Sequence, residues 1–199
     1  MEHFNLIWFS KINAGENLHG YQLWLSIFTA KYLIFIIVLW LLAVWLWGAP
    51  KHRQTLILAL SASLFALLIN WGISLIWFHP RPFMLGVGHT YLTHAPDSSF
   101  PSDHFTALCT IFFIFLWQET IKSLTVLFLL FMTLCIAWAR IYVGVHYPLD
   151  MLGGIVVAVL STGVVIYLST FIEQYLLPIT ESTYRRLFVK IIRRKWVNN

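Results

Sequence analysis

Charge is scarce in this chain. Only 11% of its 199 residues are Asp, Glu, Lys or Arg, and eight of those are acidic. A soluble domain carries roughly a quarter, so a water-facing globule is excluded. Cysteine is nearly absent. Cys109 and Cys135 both fall inside apolar runs and read as small buried side chains, which excludes a disulfide framework and a thiolate metal cluster. There is no internal repeat and no low-complexity linker, which leaves little for a second domain. The first 21 residues lack the positive region, apolar core and small-residue site of a signal peptide.

What is abundant is apolar bulk. Hydrophobic residues make up 59%, with ten Trp and sixteen Phe, and the mean hydropathy is +0.77. A transmembrane helix needs roughly 20 mostly apolar residues. Runs over about 22–47, 55–78, 104–118, 122–143 and 149–172 meet or approach that need. The expected fold is all-α: one polytopic membrane bundle over 1–199 with about five transmembrane helices. The stretch "FNLIWFSKI" within 1–21 is expected to lie at the interface. Residues 173–199 are expected to form a basic tail with an amphipathic helix.

The thirteen Lys and Arg fall in groups. Lys51, Arg53 and Lys122 lie in links between runs. Arg185, Arg186, Lys190, Arg193, Arg194 and Lys195 belong to the tail. Short loops rich in Lys and Arg stay cytoplasmic. Five crossings put all these groups on one side, with the C-terminus inside and the N-terminus outside. In the tail, Leu187, Phe188, Ile191 and Ile192 interleave with the charges at helical spacing. That suits contact with anionic membrane lipids, and no nucleic-acid partner is expected. The remaining cations, Lys11, Lys31, Arg81 and Arg140, lie in the outer half. There, charges near the bilayer are costly and usually face an interior or a site.

Three stretches meet on that outer side: "HPRPF" (79–83), "FPSDH" (100–104) and "ARIYVGVHYPLD" (139–150). They supply Arg81, Ser102, His104, Arg140, His146 and Asp150. Each has a plain explanation alone: a snorkelling anchor for Arg81, a helix N-cap for Ser102, a dipole partner for Asp150. Together those explanations leave two arginines and two histidines on one face unaccounted for. A phosphate site accounts for them. Guanidiniums clamp phosphate bidentately, and a helix N-terminus at Ser102 offers backbone N–H groups. One imidazole attacks phosphorus and the other protonates the leaving oxygen. A carboxylate fixes the attacking ring. With Pro148 opening a helix, Asp150 lies in the first turn, able to reach back to His146.

At these residues the sequence resembles the type 2 phosphatidic acid phosphatase family. Its pattern is Lys, six residues, Arg-Pro; then Pro-Ser-Gly-His; then Ser-Arg, five residues, His, three residues, Asp. The wording "FHPRPFM", "SSFPSDH" and "VGVHYPLDMLGG" is similar to the branch of bacitracin-resistance-type undecaprenyl pyrophosphate phosphatases. The resemblance implies a hydrolase that needs neither metal nor cofactor and works through a phosphohistidine. His146 is then the nucleophile, Asp150 its partner and His104 the acid, with Arg81, Ser102 and Arg140 on the phosphoryl group. It also implies a lipid diphosphate substrate, undecaprenyl diphosphate, converted to undecaprenyl phosphate at the outer face of the bacterial cytoplasmic membrane, as in carrier recycling for cell-wall synthesis. The alternative substrate is a glycerolipid phosphate, such as phosphatidic acid or phosphatidylglycerol phosphate. The sequence departs from the pattern at Ser74 (Lys in the family), Asp103 (Gly) and Ala139 (Ser). Lys31 is a candidate to supply the missing charge.

Two rival readings have weaker support. His79, His89, His94, Asp97, Asp103 and His104 could hold a metal, but their spacings match no compact ligand pattern, and a metal leaves the arginines unexplained. A transporter needs charges at mid-depth, and Lys31 alone could be one.

Overall fold

The computed structural model describes residues 2–118, 123–189 and 197, and all its regular elements are helical. They are α1 (Glu2–Ile12), α2 (Gly20–Ile27), a π-helical turn (Phe28–Tyr32), α3 (Leu33–Trp47), α4 (Pro50–Ile76), a 3₁₀ turn (Pro82–Leu85), α5 (Asp103–Trp117), α6 (Ser123–Tyr142), α7 (Pro148–Tyr167) and α8 (Ser169–Leu187). Lys122, Lys190 and the stretch 191–196 lie outside the described residues, and with them Ile191, Ile192, Arg193, Arg194 and Lys195.

Four apolar helical stretches are long enough to cross a membrane: Gly20–Trp47, Pro50–Ile76, Leu124–Tyr142 and Pro148–Tyr167. α5 is apolar but has only 15 residues. That is roughly 22 Å of helix against about 30 Å of hydrocarbon. The expected five runs therefore appear as four full-length helices and one short one. The chain is a multi-pass membrane protein.

The short helix is the centre of the bundle, packed between α4 and α7. Small residues permit the close approach. On α4 these are Ala59, Ala62 and Ala66. On α7 they are Gly154, Ala158, Ser161 and Thr162. A Cβ at Gly154 would stand 2.8 Å from Thr106 Oγ1. Polar groups between the helices pair with one another. Ser63 Oγ and Thr110 Oγ1 are 2.7 Å apart, and Asn70 Nδ2 donates to Asp103 Oδ1 at 2.9 Å and to Thr106 Oγ1 at 3.2 Å. Leu60, Leu64, Leu68 and Trp71 of α4 and Phe131, Leu134 and Trp138 of α6 point outward, as a lipid-facing surface should.

Both ends of the chain add to the sequence reading. α1 does more than lie at an interface. Phe9 and Asn5 are buried, Phe9 packs on Tyr147 with ring centroids 5.2 Å apart, and Asn5 Oδ1 accepts the Leu149 N–H at 3.1 Å. At the other end α7 stops at Tyr167, and a new helix, α8, docks on α4 and α7. Its Tyr184 is buried beneath Arg53, whose guanidinium lies 4.5 Å from the Tyr184 ring and 5.9 Å from that of Trp45.

Candidate active site

The site forms where the start of α5, the end of α6 and the start of α7 meet. Pro148 is the first residue of α7, which puts Asp150 in the first helical turn. Asp150 Oδ2 accepts the Tyr147 backbone N–H at 2.8 Å and lies 3.0 Å from His146 Nδ1. It is a helix cap and an imidazole partner at once. Ser102 stands at the N-cap position of α5 but makes no side-chain cap. Its hydroxyl lies 3.3 Å from His146 Nε2 instead. Its backbone N–H donates to the Asp150 carbonyl at 3.3 Å, which pins α5 to α7.

His146 is 1% exposed. Burial, followed by the charges of Arg140 and Arg81, holds its pKa well below the ordinary histidine value. The ring is therefore neutral. Its proton sits on Nδ1 toward Asp150, and the Nε2 lone pair faces the arginines. Arg81 Nη1 reaches Nε2 at 3.1 Å and Arg140 Nη2 at 3.2 Å. Three donors thus converge on one lone pair, which accepts one of them well.

Both guanidiniums are held from behind. Arg81 donates through Nη1 to the Val145 carbonyl at 2.9 Å, through Nη2 to the Ser98 carbonyl at 3.2 Å, and through Nε to Asp97 Oδ1 at 2.7 Å. Arg140 donates through Nη1 to the Ala30 carbonyl at 3.2 Å, and its Nη2 also meets His94 Nε2 at 3.2 Å. Ala30 lies within the π-helical turn, a feature often found at functional sites. His104, in the first turn of α5, is half-buried and under the electrostatic influence of Arg140, His94 and Arg81. The structure therefore brings Arg81, Ser102, Arg140, His146 and Asp150 into contact, with His104 beside them.

Lys31 is placed elsewhere. It is exposed, with its ammonium 5.3 Å from the Tyr32 ring centroid. Ser74, at the position of the family lysine, donates to the Trp71 carbonyl of its own helix at 2.7 Å. Of the six residues considered as metal ligands, His94 and Asp97 bind the two arginines, Asp103 binds Asn70, and His79 Nδ1 faces Ser99 Oγ at 3.1 Å. Among the described residues no group of three such side chains could hold a metal ion.

The sequence reading missed several contributors. Asn13 Nδ2 donates to the carbonyls of His89 (2.9 Å) and Tyr142 (3.1 Å), and its Oδ1 accepts the His89 N–H at 2.8 Å. It ties α1, the loop at His89 and the end of α6 together. Ala30, Val145 and Ser98 act through carbonyl oxygens, which no motif can display.

A family model described as the PAP2 superfamily matches residues 54–173. The chain is 37% identical to "Putative undecaprenyl-diphosphatase YbjG" of Escherichia coli K12, over all of both chains. It is 38% identical to "Undecaprenyl-diphosphatase BcrC" of Bacillus subtilis 168, over 68% of this chain and 69% of the relative. It is 30% identical to "Bacitracin transport permease protein BcrC" of Bacillus licheniformis, over 86% and 83%. Among solved structures, that of Aquifex aeolicus LpxE superposes with a TM-score of 0.66 over 82% of this chain and 95% of that one, at 19% identity. That last likeness concerns the fold.

Proposed function

The chain belongs to the PAP2 superfamily, and from that premise we propose that it removes the terminal phosphate of undecaprenyl diphosphate through a phosphohistidine at His146. The protein is a membrane-bound lipid phosphatase, a hydrolase. The observation that carries the mechanism is the crowding at His146 Nε2, where Arg81, Arg140 and Ser102 donors stand within 3.3 Å of one lone pair. A transferring phosphoryl group has three peripheral oxygens, one for each donor, beside the nitrogen that attacks it. His146 Nε2 forms the N–P bond as the bond from phosphorus to the bridging oxygen breaks. Asp150 holds the Nδ1 proton and stabilises the imidazolium that results. His104 gives its proton to the departing lipid phosphate.

The substrate rests on the names of the two undecaprenyl-diphosphatase relatives. The bacterial cytoplasmic membrane as the location, and its outer face for the site, rest on the distribution of Lys and Arg. The test is phosphate release by purified protein from undecaprenyl diphosphate and from phosphatidic acid, each with EDTA present. The expected result is turnover of the diphosphate, lost by at least a thousandfold in His146→Ala. Preference for phosphatidic acid would overturn the substrate, and an active His146→Ala would overturn the nucleophile.

A further inference from the structure

The loop segment His94-Ala95-Pro96-Asp97 lies over the site and holds both arginines, Asp97 on Arg81 Nε at 2.7 Å and His94 on Arg140 Nη2 at 3.2 Å. A guanidinium N–H only donates, so His94 Nε2 turns its lone pair into the site and the ring proton sits on Nδ1. Behind it, Nδ1 faces the Ala95 carbonyl at 3.2 Å and Asp97 Oδ1 at 3.5 Å. This is a second histidine–aspartate pair. It confronts the first across a shared atom: Arg140 Nη2 is 3.2 Å from Nε2 of His94 and 3.2 Å from Nε2 of His146. The two rings stand 6.4 Å apart, nearly edge to face. A phosphoryl group bonded to His146 Nε2 and held by Arg140 Nη2 would therefore have His94 Nε2 as a neighbour.

We propose that His94 is the catalytic base of the second half-reaction, accepting the proton of the water that hydrolyses phospho-His146. The proposal rests on the phosphohistidine reading above. The water oxygen forms a new bond to phosphorus on the face opposite His146. The Nε2–P bond breaks and its electron pair returns to the His146 ring. One water proton passes to His94 Nε2, and inorganic phosphate leaves. His94 then gives the proton to solvent, which its partly exposed side chain can reach.

The resting contact with Arg140 does not obstruct this step. Once a phosphoryl oxygen occupies Arg140 Nη2, the His94 lone pair is free for water. Burial, and then the charge of Arg81, lower the His94 pKa, so the ring waits in its accepting form. Asp97 acts in the opposite sense and stabilises the imidazolium once formed. An acid for the leaving group needs its proton on the nitrogen that faces the site. His94 has a lone pair there, whereas the His104 ring makes no hydrogen bond among the described residues.

His94→Gln separates the base from a mere prop, since its amide oxygen can still accept from Arg140 but cannot take a proton. The measurement is rapid quench with undecaprenyl diphosphate radiolabelled in its terminal phosphate. The expected result is a wild-type burst of undecaprenyl phosphate, label retained on the protein as an acid-labile adduct, and steady turnover down about a hundredfold or more. Turnover within about threefold of wild type, or a burst lost together with turnover, would overturn the proposal. Label absent from wild type and variant alike, with turnover intact, would instead remove the phosphohistidine reading and this proposal with it. His94→Gly is the companion variant. Added imidazole should shorten the lifetime of its labelled form, and a lifetime indifferent to imidazole counts against His94 as the base.

Discussion

At the scale of single residues, the site is a cluster of hydrogen-bond donors crowded around one ring nitrogen. Around His146 Nε2 the two guanidiniums repel each other, and each is held in place by protein carbonyls or Asp97 rather than by the ring it faces. Such an arrangement is complementary to an anion and needs little reorganisation to hold one. This bears on the lysine that the family places at position 74. Ser74 gives its hydroxyl to its own helix, and the exposed Lys31 ammonium stacks on Tyr32. Two fixed forks and the N-terminus of α5 remain to neutralise the phosphate. Lys31→Met should therefore change kcat/KM by less than about threefold, under ~0.7 kcal/mol of transition-state stabilisation. Steady-state kinetics on undecaprenyl diphosphate decide this. A loss of tenfold or more would put Lys31 in the clamp.

At the scale of elements, the α6–α7 connection has little freedom. Gly144 has φ +82°, and a Cβ there would stand 2.2 Å from the His89 carbonyl oxygen and 3.2 Å from Asn13 Nδ2. The left-handed backbone alone costs an alanine about 1–2 kcal/mol, and the clash falls on backbone that cannot rotate away. Gly144→Ala should lower the melting temperature of the detergent-solubilised protein and displace His146, two residues on, with a loss of turnover. A variant with wild-type melting and kinetics would show that the turn yields. The same connection explains what the sequence could and could not disclose. Arg140, His146 and Asp150 belong to one helix–turn–helix, and Pro148 fixes the start of the second helix. Their spacing therefore carries their geometry. The π-turn is different: Ala30 contributes only its carbonyl, and its meeting with Arg140 depends on helix packing. α1 was opaque for a related reason, since "FNLIWFSKI" reads alike whether Phe9 meets lipid or Tyr147. Hydropathy carries the apolar run of α7 to 172 and does not register the break at Leu168 that lets α8 turn back onto α4.

At the scale of the whole molecule, the chain has a basic end and a catalytic end. Arg53, fully buried between the Trp45 and Tyr184 rings, fastens the α3–α4 connection to α8. Lys51, Arg53, Arg185 and Arg186 thereby gather at one pole of the bundle. Arg81, Ser102, His146 and the loop that carries His94 and Asp97 occupy the other, a helix length away along α4. Composition thus marks an axis, and the proposed direction of that axis rests on the positive-inside rule. The helix count alone is a weaker guide, because α5 is too short to be read as a span by length, and its place in the bundle rests on its packing between α4 and α7. If α5 does cross, the chain makes five passes and its ends lie on opposite sides. Two measurements together check this. A fluorescent reporter fused after Asn199 should mature, as it does only in the cytoplasm. Thr93→Cys, on the exposed rim of the site loop, should react with a membrane-impermeant maleimide in intact cells, while the native Cys109 and Cys135 lie within α5 and α6 and should not. A dark reporter with a labelled Thr93→Cys would mean an even number of crossings. A bright reporter with an unlabelled Thr93→Cys would put the site on the cytoplasmic side, where it would serve a different pool of lipid diphosphate.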